Sequence, residues 1–475
     1  MKLTHPSIRI GLFTLGLIAL ISCNKVKDFG ETNDNPADIT DPATYAILTQ
    51  VLSGGTTPST ATGIWPWAKD NNATLWIQYS SETQYPSAGL YAIPTQGFGA
   101  YTGALLNLKT IITKNNNPDE VAVARILTQY IFWNLTDALG DIPYSEALQG
   151  FPPKFDKQQD IYKGMIAELK AAKDQFANTG GLKGDILNNN NVDQWKKFAN
   201  SLRAMMAMQL SKRFPGANEY AALEFRSAIS DGVITSNADN VKLVFPSGLF
   251  KNPYWADHDG QRDNGESTQI FTMLSDLGDG RQAAFGSSSV PVPHGLKEAS
   301  INAWIKANIN WSRILSDNQR QETSPVYIIT ASQLYMARSE AAFRGWTGPG
   351  APGLTGENSV DLLNQGIDAS FTQWGVALPP ASYYTNQPHS LQKIVEQAFL
   401  ASFPNGRAGW NIYRRTGFPV LTPAPDPLNA AHTTIPRRYT FTSTEYSLSP
   451  EGVASAITGL VPAADTQEAR IWWDQ

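Results

Sequence analysis

The longest stretch in which apolar residues recur at helical spacing lies within residues 121–147. It predicts a helix that is apolar on two faces. The preceding Asn117-Pro118-Asp119-Glu120 supplies an N-cap, a proline at the first helical position and acids at the positive end of the helix dipole. Gly140 and Pro143 then end the helix, so the chain has to turn back there. A helix that is apolar on two faces is expected to lie between neighbouring helices.

The other helical patterns come in pairs. Residues 101–113 precede this helix, 160–176 precede 192–212, and 331–346 precede 359–374, while 391–402 carry the last clear pattern. Pairs of this length resemble tetratricopeptide-type units, although the repeat signature itself is absent. We therefore predict a mainly α-helical fold of tetratricopeptide-like helix pairs, an α/α superhelix.

Two stretches lack sustained periodicity, residues 64–101 and residues 236–324. Both are rich in turn-forming residues and aromatics, and within the first we expect one helix near 75–80. Loops of this length inside a compact protein usually carry function. We predict that they form a loop-rich ligand-binding portion mounted on the helical scaffold.

The N-terminus has the pattern of an export signal. Lys2 and Arg9 precede an apolar run at 10–21 that is too short to span a bilayer, and Leu20-Ile21-Ser22-Cys23 closes the run. This tetrad resembles the lipobox of bacterial lipoproteins, in which a small residue precedes the lipidated cysteine. We predict a signal peptide at 1–22, a lipidated tether at 23–40 and a folded domain at 41–475, with Cys23 as the lipid attachment site. The alternative is an incidental cysteine.

Composition narrows the classes of function. The formal net charge of −5 gives no reason to expect nucleic acid as a partner, and the single cysteine allows no intramolecular disulfide. No H-E-x-x-H, G-x-S-x-G, phosphate-binding loop or paired-cysteine motif is present, and His258, His294, His389 and His432 are scattered singly. We therefore expect a protein that is not an enzyme. Paired carboxylates of a glycoside hydrolase stay open as the weaker alternative, because their separation is spatial and not sequential.

Aromatic residues in the two loop stretches give the stronger signal. Sugar rings stack their C–H faces on Trp and Tyr, and extended peptides can use the same kind of surface. For each aromatic alone, packing in the core is the competing interpretation. The candidate ligand contacts are Trp67, Tyr85, Tyr91, Tyr254, Trp255, Trp304 and Trp311. In contrast, Trp133, Trp195 and Trp346 lie within helical patterns and are expected to be packing residues.

An acidic run at 257–266 contains Asp257, Asp259, Asp263 and Glu266, enough oxygen donors for a hard cation such as calcium. Its spacing is not that of an EF-hand, and Arg262 could neutralise a solvated acidic loop without any metal. We expect no required cofactor, with a structural calcium ion as one hypothesis for this run.

Two arginine pairs raise the question of an anion site. Arg414-Arg415 and Arg437-Arg438 are flanked by Trp410, Tyr413 and Tyr439. This setting favours interior ion pairs and stacking over a surface anion site.

Seven motifs follow one another along nearly the whole chain. They are the lipobox, A-R-I-L-T-Q-Y-I-F-W-N-L-T-D-A-L-G-D-I-P-Y-S-E-A at 124–147, W-K-K-F-A-N-S-L-R-A-M-M-A-M-Q-L-S at 195–211, L-Y-M-A-R-S-E-A-A-F-R-G-W at 334–346, F-P-N-G-R-A-G-W-N-I-Y-R-R-T-G-F-P at 403–419, I-P-R-R-Y at 435–439 and I-W-W-D at 471–474. In this order they resemble the SusD/RagB family nearly end to end. Residues 445–454 depart from the family pattern, with serines where asparagine is expected.

The resemblance implies a lipid-anchored outer-membrane protein that faces the cell exterior. It also implies a binding function, in which a captured nutrient passes to a SusC-like TonB-dependent transporter. An oligosaccharide is the first expectation for the ligand, because the loops are rich in aromatic and amide side chains. An oligopeptide is the alternative within the same family.

Overall fold

The computed structural model describes residues 41–92, 94–178, 181–257 and 262–475. Three features predicted from the sequence fall partly or wholly outside the described residues. They are the signal peptide at 1–22, the tether at 23–40 with Cys23, and His258 and Asp259 of the acidic run. Thr44–Gln475 form one of the two compact units into which the chain divides, and the structure below is that of this unit.

Helices dominate the described residues. In chain order they are α1 (Thr44–Ser53), α2 (Asn71–Trp76), α3 (Leu106–Lys114), α4 (Pro118–Leu139), α5 (Gln158–Gln175), α6 (Val192–Gln209), α7 (Tyr220–Ser230), α8 (Pro253–Ala256), α9 (Thr268–Leu277), α10 (Gln282–Phe285), α11 (Glu298–Ala307), α12 (Ala331–Phe343), α13 (Ser359–Gln373), α14 (Ala381–Thr385), α15 (Leu391–Ser402), α16 (Gly406–Thr416), α17 (Ser443–Leu448) and α18 (Pro450–Ile457). No helix in this part of the chain is long and apolar enough to cross a lipid bilayer.

The strands of the described residues are short. They are β1 (Ser80–Glu82), β2 (Thr95–Gln96), β3 (Ile142–Pro143), β4 (Phe155–Asp156), β5 (Val241–Leu243), β6 (Asn264–Glu266), β7 (Val326–Ile329) and β8 (Thr440–Phe441). They form four two-stranded sheets, of which β1–β6, β3–β4 and β5–β7 are antiparallel and β2–β8 is parallel.

Helix α4 begins and ends where the sequence predicts. The Asn117 side chain accepts hydrogen bonds from the backbone N–H groups of Asp119 and Glu120, and Pro118 occupies the first turn. The chain leaves the helix at Gly140 with φ +93°, a conformation that glycine adopts at low cost. Nearly every residue of α4 is buried, because α3, α5 and α6 pack around it.

The helices pack as successive partners. Helix α4 packs on α5, α5 on α6, and α6 on α7, while α12 packs on α13 and both contact α15. About half of the residues are helical. The predicted mainly α-helical fold of tetratricopeptide-like pairs is confirmed. Trp195 and Trp346 are fully buried, as expected of packing residues, and the partly buried Trp133 donates its indole N–H to Tyr162 Oη at 3.0 Å.

Helix α16 was not predicted from the sequence. Its Gly406 and Gly409 weaken the helical pattern, since glycine is the poorest helix former after proline. The structure shows why glycine is present: a Cβ atom on Gly406 would lie 2.4 Å from the backbone nitrogen of Thr74, and one on Gly409 would lie 2.5 Å from Ile77 Cδ1. Close approach of α16 to the α2 segment therefore requires both glycines.

Three arginines of the two pairs are buried, as predicted, and the fourth, Arg437, is partly buried. Arg414 lies 3.4 Å from the centre of the Trp410 ring and is buried, and burial lowers its pKa to about 9. Arg415 forms a buried ion pair with Glu340, in which Nη2 lies 2.7 Å from Oε2. Arg415 thus joins α16 to α12, while Arg414 joins α16 to α4 by donating to the carbonyl of Asp137 at 2.7 Å.

The C-terminal segment completes the core. Trp473 is fully buried and donates its indole N–H to Asp137 Oδ1 at 2.8 Å, while Asp474 pairs with Arg437 at 2.5 Å and Lys212 at 3.4 Å. The last residues are thus packed against α4, at the centre of the helical scaffold.

The predicted loop stretches contain more regular structure than expected. The short helix of the first stretch is α2 at Asn71–Trp76, slightly earlier than predicted, and the second stretch contains α8 to α11 as well as β5 and β6. Strands β1 and β6 connect the two stretches, with Ser80 opposite Glu266 and Glu82 opposite Asn264. This sheet brings two segments far apart in sequence together at one surface.

Candidate functional site

The candidate site lies where the chain leaves β1. The backbone N–H of Thr83 donates to the carbonyl oxygen of Asp263 at 2.8 Å, which continues the β1–β6 pairing by one residue. The Gln84 side chain then donates from Nε2 to Asp263 Oδ1 at 3.0 Å. The segment after β1 is therefore fixed to the segment before β6.

Tyr85 follows at once and is the most exposed of the predicted aromatics, with 76% of its surface accessible. Its φ of +48° is uncommon for a residue with a Cβ atom, so the surrounding structure has to hold it in place. We name residues 83–89 the Tyr85 loop. Tyr85 makes no ring–ring contact with another aromatic among the described residues, and its ring is available to a ligand.

Glu82 closes the Tyr85 loop at its base. Its carboxylate accepts hydrogen bonds from the backbone N–H groups of Ser87 at 2.9 Å, Ala88 at 3.2 Å and Gly89 at 3.0 Å. Burial raises the pKa of Glu82, and these three hydrogen bonds act in the opposite direction by stabilising the charged form. The end of the Tyr85 loop is therefore held next to Glu82, the residue that precedes the loop.

A third segment supports the far side of the loop. The N–H of Leu428 donates to the carbonyl of Leu90 at 2.9 Å, and the N–H of Ala424 donates to Tyr91 Oη at 2.8 Å. Burial lowers the pKa of nearby His294 to about 4, so its ring is neutral near pH 7. Tyr91 itself is fully buried and acts as a structural residue beneath the Tyr85 loop.

Four of the seven predicted contact residues lie in the interior. Trp67, Tyr91, Tyr254 and Trp311 have at most 7% of their surface exposed. The Trp67 ring lies 5.2 Å from the Arg407 guanidinium, and Trp311 packs with Val292 and Ile301 in a small core of its own. These four rings present no free face to solvent, because Trp67, Tyr91 and Tyr254 belong to the main hydrophobic core and Trp311 to a small separate one.

Trp255 and Trp304 are intermediate cases. Both are partly buried, and Lys251 Nζ lies 4.1 Å from the centre of the Trp255 ring, which covers one of its faces. Trp304 packs from α11 against the Val292–Ile301–Trp311 cluster. Tyr85 is thus the one member of the predicted set that the structure leaves fully on display, and ligand contact by any of the seven stays a prediction.

The carboxylates of the acidic run have other partners. Asp257 pairs with Lys69 at 2.6 Å, Asp263 accepts from Gln84, and the fully buried Glu266 accepts from Ser312 Oγ at 2.6 Å and Gln282 Nε2 at 2.8 Å. Burial raises the pKa of Glu266 to about 7. Within the described ranges, no group of three or more His, Cys, Asp or Glu side chains could hold a metal ion. A calcium ion that also uses Asp259 stays a prediction.

A groove of about 530 Å³ opens next to β6 at the end away from Tyr85. Gly286 forms part of its wall, and Glu266 Oε2 lies 1.8 Å from the position that a Cβ atom on Gly286 would take, so the carboxylate lies directly beneath this wall. The remaining lining mixes apolar, hydroxyl, amide and carboxylate groups: Phe271, Asp279, Gly280, Gln282, Ala283, Ser287, Ser288, Ser289, Ser316 and Asp317. The loop-rich portion therefore combines a projecting aromatic with a concave surface of mixed polarity.

Reasoning from the sequence missed Glu82 and Gln84. Pro86 and Gly89 were the available signal, because both mark turns, and a turn is where an aromatic side chain is most readily exposed. The partner of Gln84, Asp263, could not be found this way, since it lies on another strand.

Comparisons with known proteins agree with this architecture. A family model described as "Starch-binding associating with outer membrane" matches residues 36–442. No curated protein sequence matches significantly.

Three solved structures of SusD homologues superpose over most of the chain. A chitin-binding SusD homologue from Flavobacterium johnsoniae has a TM-score of 0.75 at 23% identity, covering 91% of this chain and 98% of its own. A SusD homologue from Bacteroides thetaiotaomicron has a TM-score of 0.76 at 21% identity, covering 91% and 99%. One from Bacteroides fragilis has a TM-score of 0.74 at 20% identity, covering 91% and 100%.

Proposed function

The chain belongs to the SusD-like family, and from this premise we propose that it binds an oligosaccharide on the surface around the Tyr85 loop. The observation that supports the proposal is the display of Tyr85 on a loop fixed at both ends. A sugar ring can stack its apolar face on the tyrosine, while polar groups beside it meet the hydroxyls. The family description names starch, and one structural neighbour is chitin-binding, so these glycans are the first to test.

Tyr85→Ala is the direct test of this site. We expect the affinity for maltohexaose or chitohexaose to fall by about 1–3 kcal/mol, the usual range for an anchor residue, with the melting temperature unchanged. Tyr45→Ala is the matched control, because Tyr45 is 48% exposed but lies on α1. Calorimetry with both sugars, and with a peptide library as the alternative ligand class, measures the effect. An unchanged affinity in Tyr85→Ala would contradict the proposed site. Tight binding of peptides alone would show that the ligand is a peptide and not an oligosaccharide.

The function that we propose is capture without chemistry. The oligosaccharide should be recovered intact after incubation with the protein, whereas shorter sugars in the mixture would favour the glycoside hydrolase alternative. Chromatography of the sugar before and after incubation distinguishes the two outcomes.

We further propose that the protein acts at the outer membrane, anchored through lipid on Cys23 and facing the cell exterior. From there the ligand passes to a SusC-like TonB-dependent transporter. Cys23→Ala should lose metabolic fatty-acid labelling and leave the membrane fraction, and affinity purification from solubilised membranes should recover the transporter with the wild type. Full labelling of the variant would contradict the anchor.

A further inference from the structure

In the part of the chain that the structure describes, the Glu82 carboxylate has no hydrogen-bond partner outside the Tyr85 loop. It accepts the three successive N–H groups of Ser87, Ala88 and Gly89, and the Ser87 hydroxyl lies 3.5 Å from Oε1. Among the described residues, Glu82 forms no ion pair. Its charge is therefore stabilised by the loop alone, unlike the scaffold carboxylates that pair with arginine.

The space around the carboxylate is closely filled. Oε2 lies 3.1 Å from the position that a Cβ atom on Gly89 would take, and the His294 ring is 3.5 Å from the same position. A larger residue at 89 would push the carboxylate away. The absence of a side chain at Gly89 thus allows Glu82 to reach the loop amides.

The loop needs an external constraint because Tyr85 is strained. A tyrosine with φ +48° returns to a more favourable conformation unless both flanks are fixed. The first flank is fixed by the Thr83 and Gln84 contacts to Asp263, and the second flank is fixed by Glu82. Without the second, the loop would have to be ordered by the ligand itself, which weakens binding.

We infer that Glu82 is the positioning residue of the binding surface, holding the Tyr85 loop in its ligand-ready conformation before the ligand arrives. This inference rests on the proposed role of Tyr85. It assigns a function to a residue that touches no ligand, so its effect on affinity has to pass through Tyr85.

A double-mutant cycle tests this dependence. With maltohexaose and chitohexaose as probes, Glu82→Ala should weaken binding about 5- to 50-fold, and the combined Glu82→Ala/Tyr85→Ala variant should bind no more weakly than Tyr85→Ala alone. Two independent effects that multiply in the double variant would overturn the inference. If Tyr85→Ala binds the sugars as tightly as wild type, the proposed function fails. If Tyr85→Ala binds more weakly but Glu82→Ala binds like wild type, only the inference about Glu82 fails.

Glu219→Ala is the matched control. The Glu219 carboxylate also accepts a backbone N–H, that of Gly216 at 2.7 Å, but this turn precedes α7 on the helical scaffold and carries none of the seven candidate aromatics. Affinity should be unchanged in this variant. A loss equal to that of Glu82→Ala would mean that general loosening of loops explains the effect, and would overturn the positioning role.

Hydrogen exchange provides a readout that needs no ligand. The amides of Ser87, Ala88 and Gly89 should exchange at least tenfold faster in Glu82→Ala than in wild type, because they lose their acceptor. Glu82→Gln keeps the shape and one acceptor oxygen, so its exchange should lie between the two. Equal exchange in all three proteins would show that the carboxylate does not hold the loop.

Discussion

The ion pairs between helices of the scaffold and the Glu82 carboxylate of the Tyr85 loop hold their charges in different ways. In the scaffold, buried arginines meet carboxylates: Arg415 pairs with Glu340, and Arg203 pairs with Asp231 at 2.7 Å. The loop-rich portion also contains a buried ion pair, Arg281 with Asp279 at 2.6 Å, but its partly buried Glu82 is held by successive backbone amides of the Tyr85 loop. An ion pair between helices joins two elements, whereas amide hydrogen bonds within one loop fix the path of that loop. The first arrangement stabilises the fold and the second presents a side chain.

Both regions nevertheless bury aromatic rings. Trp195 in the scaffold and Trp67 in the loop-rich portion are each fully inaccessible. Irregular backbone therefore does not mean exposure, and the distinction that matters is between rings in a core and the one ring displayed on the Tyr85 loop.

The largest expected effect separates these two kinds of aromatic. Trp195→Ala should lower the free energy of unfolding by about 3–5 kcal/mol, because it leaves a cavity in the core. Tyr85→Ala should leave it within about 0.5 kcal/mol, as for most surface substitutions. Chemical denaturation of both variants measures the difference. Equal losses would contradict the assignment of Tyr85 to the surface.

A smaller effect is expected from a single added methyl group at the α2–α16 contact. Gly409→Ala should destabilise the protein by about 1–3 kcal/mol, because overpacking against Ile77 and Tyr79 outweighs the better helix propensity of alanine. Gly356→Ala is the control, since nothing lies within 4 Å of its added Cβ atom. A stabilised Gly409→Ala would show that the two helices can separate at no cost.

The smallest expected effect is the pH dependence of the scaffold. Burial raises the pKa of Asp137 to about 6, although it accepts from Tyr162 at 2.5 Å, Asn411 at 2.6 Å and Trp473 at 2.8 Å. A raised pKa means that the folded state favours the protonated acid. The stability from this group is present at acidic pH and is lost as pH rises through about 6.

Asp137→Asn removes this titration. Between pH 4.5 and 7, the wild type should lose more unfolding free energy than Asp137→Asn, and the difference between the two curves isolates the group. Parallel curves would show that the carboxyl is ionised throughout this range.

Much of the scaffold could be predicted because its signals are local. The adjacent residues Asn117 and Pro118 mark the start of α4. The tryptophan and tyrosine that precede Arg414 in the sequence indicated an interior cation. Helix α16 escaped prediction, since Gly406 and Gly409 serve a contact with α2 that no local pattern reveals.

The site could be predicted only in outline. The sequence indicated which loops carry aromatics, but whether each ring faces inward depends on pairing between strands distant in sequence, as in Ser80 with Glu266. Tyr85 is exposed and Tyr91 is buried although both follow β1 within ten residues. The hydrogen bonds of Glu82 decide the path between them, and such bonds become visible only in three dimensions.

The contact between Trp473 and Asp137 also bears on the order of folding. The two residues are 336 positions apart, so the apolar surface of α4 near Asp137 stays uncovered until the segment with Trp473 packs against it. Contacts between residues so distant in sequence form slowly, because the chain loses the conformational entropy of a long loop before it gains the contact. During that interval α4 exposes apolar surface, which makes the unfinished chain prone to aggregation. Folding of this unit is thus expected to finish when Trp473 packs against α4.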